Sequence, residues 1–255
     1  MKKITVAITA LASIGIFAPC AGAEAVYSEN VVGYTKINAT QGLNILGGQF
    51  ITVGGGNLNI QKITSEDLTG GDTAQFWNGT SYTTVFYYGV NNEGGVYDTD
   101  EETCLGPGWG DINQIVVNRA INAGEGFWIQ AGAASTVTIS GEITSSAQVS
   151  LSSGLNLVAN PVPAAINVSE ISAVGLEGGD TAQFWNGSSY TTVFYYGLNN
   201  EGGVYDTDEE TCLGPGWGDI NQIVVSMPIV VGQGFWIQSA GDGTLKFPSP
   251  ILNNP

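Results

Sequence analysis

Residues 73–88 have the sequence TAQFWNGTSYTTVFYY, and residues 181–196 repeat it as TAQFWNGSSYTTVFYY. In each stretch, two runs of Thr, Val, Phe, Tyr and Trp, residue types that favour β-strands, flank an Asn-Gly pair. Asn-Gly favours a type I′ turn between paired strands, because both central residues of that turn need a positive φ. The pattern predicts one β-hairpin around Asn78-Gly79 and a second around Asn186-Gly187.

The hairpin lies at the centre of an internal repeat. The octapeptide GGDTAQFW begins at Gly70 and again at Gly178, 108 residues later, and the same offset relates the two GFWIQ segments that begin at Gly126 and Gly234. The largest cluster of differences between the copies lies between Asn118 and Glu125. A duplication of a structural unit explains this pattern, with or without two equivalent functional sites.

Upstream of the hairpin the copies have drifted apart. GLNI at 42–45 matches GLNL at 154–157 with an offset of 112, so the first copy holds four extra residues. We place them in the Gly54-Gly55-Gly56 loop.

The rest of the chain also reads as β-structure, with frequent glycine and no alternation of strands and helices. Short, evenly spaced strands of this kind are typical of small sandwiches or barrels. We therefore predict an all-β fold of two tandem, homologous, small β-sandwich-like or barrel-like repeats, residues 24–145 and 146–255. The predicted strands cover 31–37, 43–50, 112–117, 126–130 and 136–143, and single helical turns are expected at 65–68 and 168–171.

The first 23 residues have the features of a signal peptide. Lys2 and Lys3 precede an apolar stretch, and Ala21-Gly22-Ala23 is a small-x-small cleavage site. We expect residues 1–23 to be removed and the protein to be exported, to the cell surface, the extracellular space or the periplasm. Pro19 before Cys20 argues against a lipoprotein, and no later apolar run is long enough to span a membrane, so no membrane insertion is expected after cleavage.

Composition excludes several functions. The chain has 255 residues, 6 Lys+Arg, 23 Asp+Glu and no His, giving a formal net charge of -17, and loss of the two N-terminal lysines makes it -19. So few basic residues cannot neutralise a run of phosphates, which makes nucleic acid a poor partner. The absence of His excludes Ser-His-Asp catalysis and most zinc sites. Carboxylates such as Asp72, Glu93 and Asp111 have no spacing that marks a glycosidase, so we do not expect an enzyme.

Four motifs occur together along the chain: NVVGY at 30–34, GEGFW at 124–128, GLNLVANP at 154–161 and the two Trp-Asn-Gly turns. With this set the chain resembles a family of exported two-repeat β proteins of the Verrucomicrobia and related bacteria. The resemblance implies export and a tandem β architecture, and it assigns no catalytic residue.

Two acidic stretches are candidates for a weak Ca²⁺ site, the only cofactor that the sequence suggests. DTDEE at 98–102 recurs at 206–210, and alternating carboxylates in a loop can supply several of the oxygens that Ca²⁺ needs. The other interpretation is a solvated acidic loop, since the glycine and the final glutamate of an EF-hand are missing. The candidate ligands are Asp98, Asp100, Glu102, Asp206, Asp208 and Glu210.

Aromatic residues are dense and recur in both copies. They form the core of a small β domain, or else an exposed platform that stacks on sugars or on a protein partner. The residues proposed for a glycan or partner surface are Trp77, Tyr82, Trp109, Trp185, Tyr190 and Trp217.

Two cysteines, Cys104 and Cys212, occupy the same place in each copy. An oxidising compartment outside the cytoplasm favours their pairing. An internal bridge, a bridge between molecules and two free thiols all remain open.

The function that follows best from these features is a secreted or cell-surface structural protein that associates with itself into larger assemblies. The alternative is a carbohydrate-binding adhesion module that uses exposed aromatic residues, assisted by Ca²⁺.

Overall fold

The computed structural model describes residues 32–248 except 66, 90–93, 145 and 198–201. The predicted signal peptide, Cys20 and Glu93 therefore lie outside the described residues. The described part of the chain is almost entirely β-structure, arranged as small antiparallel sheets, and it confirms the predicted all-β class. Two 3-10 turns, Ile60–Lys62 and Val168–Glu170, interrupt the strands.

The strands of the first copy are β1 (Val32–Ala39), β2 (Gly42–Gly47), β3 (Phe50–Ile51), β4 (Leu58–Asn59), β5 (Ile63–Thr64), β6 (Thr73–Trp77), β7 (Tyr82–Tyr88), β8 (Val96–Tyr97), β9 (Cys104–Gly106), β10 (Gly108–Gly110), β11 (Ala120–Ile121), β12 (Gly126–Ala131) and β13 (Ser135–Ile143). Those of the second copy are β14 (Gln148–Leu151), β15 (Gly154–Ala159), β16 (Ile166–Asn167), β17 (Ser172–Val174), β18 (Thr181–Trp185), β19 (Tyr190–Tyr196), β20 (Val204–Tyr205), β21 (Cys212–Gly214), β22 (Gly216–Gly218), β23 (Pro228–Ile229), β24 (Gly234–Ser239) and β25 (Gly243–Lys246).

Each copy contributes a five-stranded antiparallel sheet with the same strand order. The order is β10-β7-β6-β12-β2 in the first copy and β22-β19-β18-β24-β15 in the second. A smaller sheet accompanies each one: β1-β13-β3, with β5 also paired to β13, and β14-β25-β17. The domain boundary between residues 145 and 146 stays a prediction.

Apolar side chains from the larger and smaller sheets pack together. In the first copy, Phe76 and Phe127 of the larger sheet share one buried cluster with Val137 and Ile139 of β13. In the second, Phe184 and Phe235 share a cluster with Leu245 of β25. Burial of large apolar side chains of this kind is the main favourable contribution to folding.

Both predicted hairpins form, but their turns differ from the prediction. Trp77 pairs with Tyr82 and Trp185 with Tyr190, so each loop has four residues instead of two. Among the described residues of the loop at 78–81, only Gly79 has a positive φ, of 99°. Asn78 stabilises the loop through its side chain, because its Oδ1 accepts hydrogen bonds from the backbone N–H groups of Thr80 and Ser81 at 3.0 and 2.8 Å.

Two further predictions are corrected or refined. Residues 112–117 do not form a strand: Asp111 Oδ1 accepts hydrogen bonds from the N–H groups of Asn113 and Ile115, which holds the chain in a turn where Gln114 has a φ of 67°. The helical turn expected at 168–171 is the 3-10 turn Val168–Glu170. The other predicted helical turn, at 65–68, includes Glu66, which lies outside the described residues; the 3-10 turn of the first copy is Ile60–Lys62.

The four extra residues of the first copy lie where the sequence placed them. Between β2 and the turn Ile60–Lys62 there are more residues than between β15 and Val168–Glu170, and the excess includes Gly54-Gly55-Gly56. All three of these glycines have a positive φ, between 88° and 97°, so this loop needs the backbone freedom of glycine.

Candidate functional site

The edges of β2 and β15 meet at a junction between the two copies, where four tryptophans pack together. Trp128 and Trp236 are buried with Ile45 and Leu157, and the half-buried Trp77 and Trp185 pack against them; we call Trp77, Trp128, Trp185 and Trp236 the tryptophan junction. Trp77 meets Trp236 edge to face with ring centroids 5.6 Å apart, and Trp128 meets Trp185 in the same way at 5.9 Å. Edge-to-face pairing is favourable for aromatic rings.

Each contact across the junction has a counterpart made with the two copies exchanged. Trp77 Nε1 donates to the carbonyl of Leu155, and Trp185 Nε1 donates to that of Leu43, both at 2.8 Å. The backbone follows the same pattern, since Gly47 N–H donates to Gly232 at 2.9 Å and Ala159 N–H donates to Gly124 at 2.8 Å. This exchange of contacts indicates that an approximate two-fold rotation relates the two copies at the junction.

Glycine is needed where the strands of one copy meet the other. A Cβ added to Gly126 would lie 2.7 Å from the carbonyl oxygen of Val158, and one added to Gly234 would lie 2.5 Å from that of Leu46. Both obstacles are backbone atoms of the opposite copy, which cannot rotate out of the way. The GEGFW and GQGFW segments therefore carry glycine for close approach of the two copies.

Of the four tryptophans predicted to lie on a surface platform, two are buried and two are half-buried. Trp109 and Trp217 are 0% and 1% exposed, so their assignment to a glycan or partner surface is wrong. Their indole N–H groups donate to the carbonyls of Ile63 and Ile171 at 2.9 and 3.1 Å, a partnership that allows a tryptophan to be buried.

Of the other aromatic candidates, Tyr82 and Tyr190 are each 43% exposed, while Trp77 and Trp185 are committed to the tryptophan junction. Trp128 Nε1 donates to the Tyr82 hydroxyl at 3.3 Å. Burial raises the pKa of Tyr190 above its ordinary value, and the hydrogen bond from Trp236 opposes that rise. A broad aromatic platform is therefore reduced to one partly exposed tyrosine per copy.

The acidic stretches hold their own loops together. Asp98 Oδ1 accepts hydrogen bonds from the N–H groups of Glu102 and Thr103 at 3.1 and 3.3 Å, and Asp206 does the same in the second copy. These hydrogen bonds, chiefly the one from the residue five positions on, lower the pKa of both Asp98 and Asp206.

The described residues also give no geometric support to the predicted Ca²⁺ site. Among them, no three acidic or cysteine side chains lie close enough together to hold a metal ion. Asp98, Asp100 and Glu102 are thus not gathered around one point, and neither are Asp206, Asp208 and Glu210.

The two cysteines lie on equivalent small hairpins at the surface. Cys104 on β9 pairs across to Tyr97 on β8, and Cys212 on β21 pairs across to Tyr205 on β20. Both are exposed free thiols and are not joined in an internal bridge. Each Sγ lies within hydrogen-bond distance of a glycine carbonyl, 2.6 Å from Gly94 and 2.7 Å from Gly202.

Exposed apolar side chains accompany both thiols. Leu105 and Leu213, the residues directly after the cysteines, are each 53% exposed. Ile112 and Ile220 are 78% and 77% exposed, in turns whose later residues bridge to Tyr97 and Tyr205 of the same hairpins. We call Cys104 with Leu105, and Cys212 with Leu213, the two thiol hairpins.

Comparison of the chain with protein-family models, with curated proteins and with solved structures finds no match. Across residues 32–248, apart from the gaps given above, no helix is long and apolar enough to cross a membrane.

Proposed function

We propose that this is an exported structural protein of the cell surface or extracellular space that assembles with further copies of itself through its two thiol hairpins. The observation that carries the proposal is the equivalent exposure of Cys104-Leu105 and Cys212-Leu213 on one chain. A molecule with two equivalent contact surfaces can extend an assembly in two directions, whereas a molecule with one surface can form only a dimer.

The chemistry at each contact would be disulfide formation between two molecules. Two thiols lose two protons and two electrons as the S–S bond forms, and the electrons pass to an oxidant of the exported compartment, such as a disulfide-exchange protein or oxygen. The exposed leucine beside each thiol supports the proposal, because two such hairpins would bury apolar surface when they meet.

The sequence around the thiol hairpins is acidic. Asp98, Asp100, Glu101 and Glu102 precede Cys104, and the same four residue types precede Cys212, so a contact between two hairpins would bring carboxylates of two molecules close together. This acidic excess would keep unassembled molecules apart at low ionic strength and allow closer approach as salt screens the charges.

Non-reducing electrophoresis of protein exported from cells tests the proposal. All variants carry Cys20→Ser, so that only Cys104 and Cys212 can react, and intact mass measurement establishes whether residues 1–23 have been removed. We expect a ladder of oligomers for the parent, dimers at most for Cys104→Ser or Cys212→Ser, and monomer for the variant that lacks both. The ladder should collapse on reduction.

Two outcomes would contradict the proposal. A parent protein that remains monomeric, with two titratable thiols after exposure to oxidised glutathione, has no assembly through these residues. A ladder that survives in the variant lacking both cysteines would show that assembly uses another surface.

A further inference from the structure

The two copies differ most in the turn that reaches across the junction. Residues 118–125 read NRAINAGE, whereas the equivalent residues 226–233 read SMPIVVGQ. Both turns keep the same backbone contact with the opposite copy, through the carbonyls of Gly124 and Gly232. The side chains have changed while the contact that holds the copies together has not.

These turns line two equivalent clefts of unequal size and polarity. The cleft beside the first-copy turn has a volume of about 660 Å³, and its counterpart has about 210 Å³. The larger one, which we call the polar cleft, is lined by Trp77, Arg119, Asn122, Glu125, Gln148 and Ser150, among others. In the smaller one, Val230 and Val231 replace Asn122 and Ala123 beside Trp185.

The polar cleft carries almost no net charge despite holding the only arginine of the chain. Arg119 forms an ion pair with Glu125, and its guanidinium carbon lies 4.5 Å from the centre of the Phe76 ring. Glu125 also accepts hydrogen bonds from the backbone and side-chain nitrogens of Asn122, both at 3.0 Å. With the charges paired, neither an anion nor a cation is favoured as the ligand.

Hydrogen-bonding groups on the opposite wall are left available. Gln148, Ser150 and Ser152 also line the cleft, and all three residues are exposed. Trp77, half-buried in the tryptophan junction, is the aromatic side chain of the cleft lining. Amide and hydroxyl groups next to an indole match the chemistry of a neutral sugar, whose hydroxyls donate and accept hydrogen bonds and whose C–H faces pack on aromatic rings.

We propose that the polar cleft binds a neutral oligosaccharide, and that the second copy has lost this capacity by closing the equivalent cleft with valines. This inference does not rest on the thiol hairpins, so assembly and sugar binding can fail independently. Assembly through the hairpins together with one sugar site per chain would attach a multivalent polymer to a glycan, with avidity that rises with its length.

Isothermal titration calorimetry with a panel of neutral hexasaccharides tests the inference, using cellohexaose, xylohexaose, mannohexaose, maltohexaose and chitohexaose. The protein is the full chain lacking all three cysteines (Cys20→Ser, Cys104→Ser, Cys212→Ser), which separates binding from assembly. We expect at least one saccharide to bind. The double variant Asn122→Val with Ala123→Val, which carries the residues of the second copy, should weaken that binding at least about tenfold.

The reciprocal double variant, Val230→Asn with Val231→Ala, leaves the polar cleft untouched and should not weaken its affinity; by reopening the equivalent cleft it should raise the number of saccharides bound per chain above one. Each variant takes residues that the chain already holds at the equivalent position. Gln148→Ala with Ser150→Ala, on the opposite wall, provides a second test should the turn variant fail to fold, and it should also weaken binding about tenfold. The inference is overturned if no saccharide of the panel binds at several millimolar, or if neither wall's variant changes the affinity.

Discussion

Alanine at Gly126 or Gly234 should destabilise the protein, because an added Cβ would meet the backbone of the opposite copy 2.7 or 2.5 Å away. Overpacking of this kind costs about 1–3 kcal/mol. Restriction of the unfolded chain by Gly→Ala returns about 0.4–1 kcal/mol. We therefore expect a net loss of about 1.3 kcal/mol in the free energy of unfolding for each variant, which lowers Tm by roughly 3–5 °C in a chain of this size.

Gly33→Ala on β1 is the matched control. Its new Cβ would lie 3.7 Å from Phe50 Cε1, an ordinary contact, and its φ is not in the left-handed region. This variant should melt at or slightly above the temperature of the parent. The assay is thermal unfolding followed by circular dichroism, with urea unfolding to obtain the free energy. If Gly126→Ala and Gly234→Ala unfold as Gly33→Ala does, the two copies do not approach each other as described, and the argument for the junction fails.

Three further predictions concern the junction, the acidic loops and the buried tyrosines. Trp77→Phe should lose at least about 0.5–1.5 kcal/mol of stability, because the hydrogen bond to Leu155 is lost and the phenyl ring is smaller than the indole that packs on Trp236, and a melting temperature equal to that of the parent would contradict this. Millimolar Ca²⁺ and EDTA should give the same melting curve, since Asp98 bonds to its own loop; a rise with Ca²⁺ that Asp98→Asn abolishes would restore the metal site. Burial, with a smaller effect of the Asp72 charge, raises the pKa of Tyr87 above 10.0. The stability gained from keeping Tyr87 protonated is therefore complete below pH 10 and is lost as the pH rises through the higher pKa of the folded state. Ultraviolet titration should show that Tyr87 ionises at a higher pH than exposed tyrosines do.

The hairpins could be predicted because the information for them is local. Residues 73–88 hold both strands and the loop between them. Strand preference and the tendency of Asn-Gly to form a turn both act over only a few residues. The turn type was wrong for a local reason too, since Asn78 bonds through its side chain instead of adopting a positive φ. A side chain also overrides strand preference at 112–117. The β-branched residues of this run favour a strand, but Asp111 Oδ1 accepts hydrogen bonds from two backbone N–H groups and holds the run in a turn.

The junction could not be predicted, because its contacts join residues far apart in the chain. Trp77 meets Leu155 and Trp185 meets Leu43, and nothing in the sequence distinguishes these tryptophans from Trp109, which fills the core of one copy. The one signal available was the cluster of differences between Asn118 and Glu125. Its meaning depends on the fold, which places that turn beside a cleft.

The near-identity of the thiol hairpins leads to a last prediction about how molecules would be linked. The sequence DTDEETCLGPGWGDINQIVV surrounds both Cys104 and Cys212, and each thiol is exposed beside a glycine carbonyl at nearly the same distance. Thiol reactivity follows local environment, so the two should react equally, and oligomers should contain 104–104, 104–212 and 212–212 bridges in a ratio of about 1:2:1. Tryptic digestion can separate them, because cleavage after Arg119 ends the first cysteine peptide while the second continues to Lys246. A single bridge type would refute the equivalence of the two surfaces and would show that more than the hairpins determines the contact.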